Sequence, residues 1–96
     1  MYVIVWEFVA RPGHEAEFER AYGPHGRWAE FFRGADGYLG TELWRGQGRW
    51  VTVDRWAGED AYQRFRAARL PEYEALDRQM EELTASESRL GTFTAL

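Results

Sequence analysis

The sequence predicts an α+β fold in the order β-α-β-β-α-β, a ferredoxin-like arrangement with a four-stranded antiparallel sheet and helices on one face. Three observations carry this. Residues 2–9, YVIVWEFV, are apolar at odd and even positions alike, as a central strand buried on both sides requires. Gly37 to Trp56 reads as two strands joined at Gly46-Gln47-Gly48. Amphipathic segments before and after that hairpin are long enough to cover a sheet face.

The first strand sorts Tyr2, Ile4, Trp6 and Phe8 to one side and Val3, Val5, Glu7 and Val9 to the other. Pro12-Gly13 breaks it, and a helix starts around His14 with Glu15 and Glu17 in the turn where the dipole favours acids. Phe18 and Tyr22 stand four apart on one face of that helix. Gly23-Pro24-His25-Gly26 interrupts it, and a second piece runs from about Arg27 to Arg33, with Trp28 and Phe32 again four apart and Phe31 beside them.

A three-residue hairpin loop sets Trp44 opposite Trp50, Leu43 opposite Val51, Glu42 opposite Thr52 and Thr41 opposite Val53. One surface then carries Leu39, Thr41, Leu43, Val51, Val53 and Arg55. The other carries Tyr38, Glu42, Trp44, Trp50, Thr52, Asp54 and Trp56, rings with carboxylates among them, which suits a pocket better than a core. Arg45 and Arg49 oppose each other at the tip, and Glu7 shares a surface with Arg55 and can pair with it. Ala57-Gly58-Glu59-Asp60 opens the next helix, whose inner stripe is Ala61, Tyr62, Phe65 and Ala68. Pro71 suits the first turn of a continuing or re-angled helix with the stripe Tyr73, Leu76, Met80 and Leu83, and the last strand covers about 88–95.

A length of 96 residues makes one small domain, 1–96, with a single core. The net charge of -4, with no basic stripe, argues against a nucleic-acid surface. No apolar run reaches the length of a membrane span, and the chain enters a strand at once, so we expect no signal peptide and a cytoplasmic location. The absence of Cys, Lys and Asn excludes disulfides, thiolate chemistry, Schiff bases and an Asn oxyanion contact. Two isolated His residues make no metal site. The aromatic fraction of 17%, with 5 Trp, exceeds what so small an interior uses, so rings should both meet a second chain and line a ligand cavity. Helices on one face leave Val3, Val5, Val9, Leu39, Leu43, Val51 and Val53 bare, a patch expected to close on its copy in a two-fold homodimer.

The run AYGPHGRWAEFFRGADGYLGTELWRG, followed by VTVDRWAGEDAYQRF, resembles small bacterial members of the antibiotic biosynthesis monooxygenase family, from the first strand through Phe65. The resemblance implies a dimeric α+β barrel, two sheets face to face, with a cavity in each subunit between sheet and helices. It implies oxidation of anthrone-like or hydroquinone-like polyketides by molecular oxygen, with no flavin or metal cofactor. A haem-cleaving branch uses an Asn on the first strand and a Trp and a His on the second long helix. The corresponding positions here hold Trp6, Phe65 and Ala75 (or Glu74), so haem cleavage is disfavoured.

Cofactor-free oxygenation needs a flat substrate held between aromatic walls, a base, and exclusion of water. The candidate walls are Trp6, Tyr22, Trp28, Tyr38, Trp44, Trp50, Tyr62 and Phe65, with Glu42 among them, although the same rings can serve as core and dimer rim. The candidate bases are Asp54, on the aromatic surface at mid-sheet, His25, in the loop beside an aromatic helix, and Glu42, whose case is weakened by a position nearer the exposed end. Two other readings fit the same fold: a non-catalytic small-molecule-binding module, and a cyclase or isomerase that moves protons without oxygen.

Overall fold

The computed structural model describes residues 1–96 and has the predicted order, with each helical segment split in two. The elements are β1 (Tyr2–Ala10), α1 (Glu15–Tyr22), α2 (Arg27–Phe32), β2 (Tyr38–Arg45) and β3 (Trp50–Trp56). Then follow α3 (Glu59–Ala68), α4 (Leu70–Met80), a 3-10 turn (Glu81–Leu83) and β4 (Thr84–Thr94), which begins earlier than the expected 88. The sheet order is β2-β3-β1-β4, antiparallel throughout, so β1 is central as its two apolar faces require. No helix is long and apolar enough to cross a membrane.

Glycine closes the turn between α1 and α2. A Cβ on Gly26 would stand 2.3 Å from the carbonyl oxygens of Arg20 and Ala21. Pro71 occupies the first turn of α4, where its missing N–H costs nothing. All helices lie on the face of Tyr2, Ile4, Phe8, Trp50 and Trp56, every one of which is buried. Two aromatic cores form there, one around Phe8, Phe18, Tyr22 and Trp50, the other around Ile4, Phe32, Trp56 and Phe65. Trp6, Trp28 and Phe31, only partly buried, pack against both. Ala68, expected on the inner stripe, is exposed at the end of α3.

The hairpin register differs from the expected one by a residue. Thr41 pairs with Asp54, Leu43 with Thr52, Trp44 with Val51 and Arg45 with Trp50. The Gly46 N–H donates to the Arg49 carbonyl at 2.7 Å, which leaves Gln47 and Gly48 alone at the tip. Because side chains alternate strictly along a strand, this slip turns β2 over. A bulge between Tyr38 and Gly40 absorbs the difference, since Tyr38 pairs with Trp56 but Gly40 with Arg55. Tyr38 therefore keeps its expected side, whereas Thr41 and Leu43 move beneath the helices and Glu42 and Trp44 move to the outer face.

Two ion pairs change with it. Arg55 bonds Glu42 at 2.9 Å, and Glu7 takes Arg49 at 3.2 Å instead of the expected Arg55. The reason is position: Glu7 lies opposite Val51, near the hairpin tip, and Arg55 lies opposite Val3 at the far end. Arg45 and Arg49 do not oppose each other, for Arg45 reaches Glu19 on α1 and Arg49 lies on the outer side with Glu7. That outer side holds Val3, Val5, Val51 and Val53, with Trp44 61% and Phe93 56% exposed.

Candidate active site between sheet and helices

A cavity of about 430 Å³ opens between the two aromatic cores. That is within the range of small-molecule sites, about 300–1,000 Å³. Strands supply its floor: Trp6 and Phe8 from β1, Thr41 from β2, and Thr52 and Asp54 from β3. Helices supply its roof, with Tyr22, Trp28, Phe32, Tyr62 and Tyr73. Trp28 is held by Phe32, ring centroids 5.7 Å apart and nearly parallel, and by Tyr73 at 5.3 Å.

Asp54 is the carboxylate at mid-floor. Burial pushes its pKa up to about 6, against the opposing effect of the Thr41 hydroxyl, which donates to Oδ1 at 2.6 Å. Thr41 reaches it because the two are direct cross-strand partners on one face. A carboxyl that titrates near neutral pH inside an aromatic cavity is suited to take a proton from a weak carbon or phenol acid and to return it.

Charge in the cavity is segregated. Asp77 and Glu87, with Glu81 nearby, surround the Tyr22 hydroxyl and reinforce the effect of burial, which raises its pKa strongly. Glu87 itself is raised, first by burial and then by Asp77 and Glu81. Arg66 and Arg89 act on Tyr62 at the other end, where burial again raises the phenol. The Arg66 guanidinium sits 4.9 Å from the Tyr73 ring centroid. The Trp28 indole N–H lies close enough to the Tyr22 hydroxyl to oppose the rise in that phenol's pKa, but it is buried without good hydrogen-bond geometry to any acceptor.

Of the expected site residues, the structure brings Asp54, Trp6, Tyr22, Trp28 and Tyr62 together around the cavity. Tyr38 stands behind the floor, its hydroxyl 2.5 Å from Thr41 Oγ1. Trp50 and Phe65 are buried in the two cores instead of lining the cavity, Trp50 giving its N–H to Glu19 at 2.8 Å. Glu42 and Trp44 lie on the opposite side of the sheet, turned there by the β2 register. His25 is exposed in the turn after α1, with Nδ1 3.4 Å from Arg33, and lines only a shallow depression on the outside. Thr41 escaped sequence reasoning because the assumed register put it on the wrong side. Arg66, Asp77, Glu87 and Arg89 escaped it because charged residues on helices and an edge strand read as solvated. No three His, Asp or Glu side chains are grouped to hold a metal ion.

Comparison with known proteins places the fold. The chain resembles the crystal structure of SnoaB, a cofactor-independent oxygenase from Streptomyces nogalater, at 29% identity and a TM-score of 0.72, covering 99% of this chain and 92% of that one. It shares its fold with a candidate antibiotic biosynthesis monooxygenase of Deinococcus radiodurans, with a TM-score of 0.75 at 17% identity, covering 99% of this chain and 92% of that one. Rv0793 from Mycobacterium tuberculosis is similar in fold too, with a TM-score of 0.69 at 18% identity, covering 99% and 94% of the two chains. No protein among those with curated functions matches the sequence. The family described as "Antibiotic biosynthesis monooxygenase" matches residues 1–79, and the chain belongs to that family.

Proposed function

We propose that this protein is a homodimeric, cofactor-independent monooxygenase that oxidises a flat aromatic or phenolic, polyketide-like metabolite with molecular oxygen. The observation that carries the reading is Asp54, a carboxyl with a pKa near 6 on the floor of a cavity walled by Trp6, Trp28, Tyr22 and Tyr62. The SnoaB likeness and family membership support the reaction class.

In this reading the substrate lies flat between Trp6 and Trp28 and presents an activated ring methylene to Asp54. Asp54 removes one proton and leaves a carbanion delocalised as a phenolate. One electron passes from that anion to dioxygen, and the resulting substrate radical and superoxide combine to form a C–O bond. Asp54 returns its proton to the peroxide. Loss of the second methylene proton, with cleavage of the O–O bond, leaves a carbonyl and water. The balance is R₂CH₂ + O₂ → R₂CO + H₂O, with the substrate supplying all the electrons. Arg66 and Arg89 bring positive charge to the end of the cavity where anionic oxygen develops. The aromatic roof keeps water away from the radical pair.

The test is oxygen uptake with an anthrone or a dihydroquinone. Wild type should consume oxygen, and Asp54→Asn should lose roughly 10²-fold or more, the usual worth of a general base. His25→Ala should stay within about 2-fold, because His25 lies outside the cavity. Ligand-induced Trp quenching without oxygen uptake would point to a binding module. Unchanged turnover without oxygen would point to an isomerase.

A further inference from the structure

We propose that Thr41 and Tyr38 are positioning residues for Asp54, a hydroxyl chain that ties one carboxylate oxygen from behind and leaves the other as the sole oxygen facing the ligand. The inference rests on Asp54 being the base of the reaction proposed above.

The geometry is specific. The Tyr38 hydroxyl lies 2.5 Å from Thr41 Oγ1, and Thr41 Oγ1 lies 2.6 Å from Asp54 Oδ1. A carboxylate only accepts and threonine has one hydroxyl proton, so Thr41 donates to Asp54 and Tyr38 must donate to Thr41. Burial raises the Tyr38 phenol, which keeps it a donor at neutral pH. Its ring is wedged against Phe32 and Trp56, with centroids 5.5 and 5.2 Å away, so the hydroxyl has little freedom to leave. Asp54 Oδ2 makes no hydrogen bond and is not among the buried unpartnered atoms, so it opens into the cavity that Asp54 lines.

The bulge in β2 makes the chain possible. Residues three apart in a regular strand point to opposite faces. The additional residue Leu39 instead places Tyr38 beside Trp56 and Thr41 beside Asp54, both under the helices. Bulges beside active sites commonly re-aim a side chain in this way.

Other titratable groups facing Asp54 across the cavity are Tyr22 from α1, Tyr62 and Arg66 from α3, and Tyr73 and Asp77 from α4. Glu87 and Arg89 face it from β4, and α2 contributes only Trp28 and Phe32. None of the three substitutions used below, at Thr41 and Tyr38, replaces any of these groups.

The experiment is a carbon-13 NMR titration of the Asp54 carboxyl in the full chain, for wild type, Thr41→Val, Thr41→Ser and Tyr38→Phe. It needs no substrate. The wild-type midpoint should lie near 6. Thr41→Val should raise it by about one pH unit, Thr41→Ser should restore it to within a few tenths, and Tyr38→Phe should raise it by less than Thr41→Val. A midpoint unmoved by either Thr41→Val or Tyr38→Phe overturns the chain. Should Thr41→Val fail to fold, Tyr38→Phe decides alone. Absence of oxygen uptake refutes the proposed reaction and leaves these midpoints as they are; unmoved midpoints refute the positioning chain and leave oxygen uptake to be judged by itself.

Discussion

Asp54 is a residue whose ionisation opposes folding at neutral pH. Its pKa rises from 3.8 to about 6, so the folded chain holds the proton more tightly than the unfolded one. Its contribution to stability is therefore full below pH 3.8 and is lost as pH rises through about 6. Asp54→Asn should then be more stable than wild type at pH 7.5 by about 1–3 kcal/mol, and the gain should vanish near pH 4; urea unfolding at the two pH values measures it. The same variant removes the proposed base. Wild-type kcat/KM for a phenolic substrate should rise through pH 6 to a plateau, following ionisation of this carboxyl. Stability and turnover should move in opposite directions at one atom, as an active-site carboxyl leads one to expect.

Among the elements, the hairpin is strapped to α1 through a single carboxylate. Glu19 accepts from Arg45 at 2.7 and 2.8 Å and from the Trp50 indole at 2.8 Å, and these bonds hold its pKa down to about 2. Its stabilising effect is present above pH 4.5 and is lost only as pH falls toward 2. Glu19→Ala leaves the indole N–H of a buried Trp50 unpaired, which should cost about 1–3 kcal/mol and raise amide exchange in Trp44, Arg45 and Trp50. Element identity was legible in the sequence: the two-sided apolar pattern of β1, the Pro24 interruption and the Pro71 restart all stand where composition put them. The pairing of β2 was not legible. A hairpin tip of two residues and one of three differ by a single step, and Gly46-Gln47-Gly48 is compatible with both. The bulge at Leu39 then restores the alternation at Tyr38, so the errors concern only residues 41–45. Thr41 was missed and Glu42 and Trp44 were misplaced for this one reason, whereas Asp54, Trp6 and Tyr62, on elements whose register depends on neither feature, lie where periodicity assigned them.

On the scale of the whole molecule, the sheet keeps an uncovered side. Val3, Val5, Val51 and Val53 are half-buried with no element over them, and Trp44, Phe93 and Val9 stand exposed around them. A self-complementary patch of this kind supports the proposed two-fold dimer. Sedimentation should give about twice the chain mass of 11.2 kDa, and Val53→Asp, at the centre of that side, should return it to one chain mass. The aromatic surplus announced a cavity, but its polar ends depend on how α4 and β4 meet across the roof. Asp77 and Glu87 stand ten positions apart and come together only through the turn Glu81–Leu83, a tertiary relation that local periodicity does not encode.

Leu39 is the extra residue that lets one strand turn both Tyr38 and Thr41 to the helix side of the sheet. Were the same residues to pair without the bulge, with the tip and the β3 pairing held, Leu39 would fall opposite Trp56 and the Tyr38 phenol would be aimed at the exterior. Lengthening the turn by one instead would present a carboxylate and an indole, Glu42 and Trp44, where a hydroxyl and a leucine now stand. In this fold, then, the side chains that a strand turns toward the helices can be exchanged by one added codon at the tip, without a single substitution.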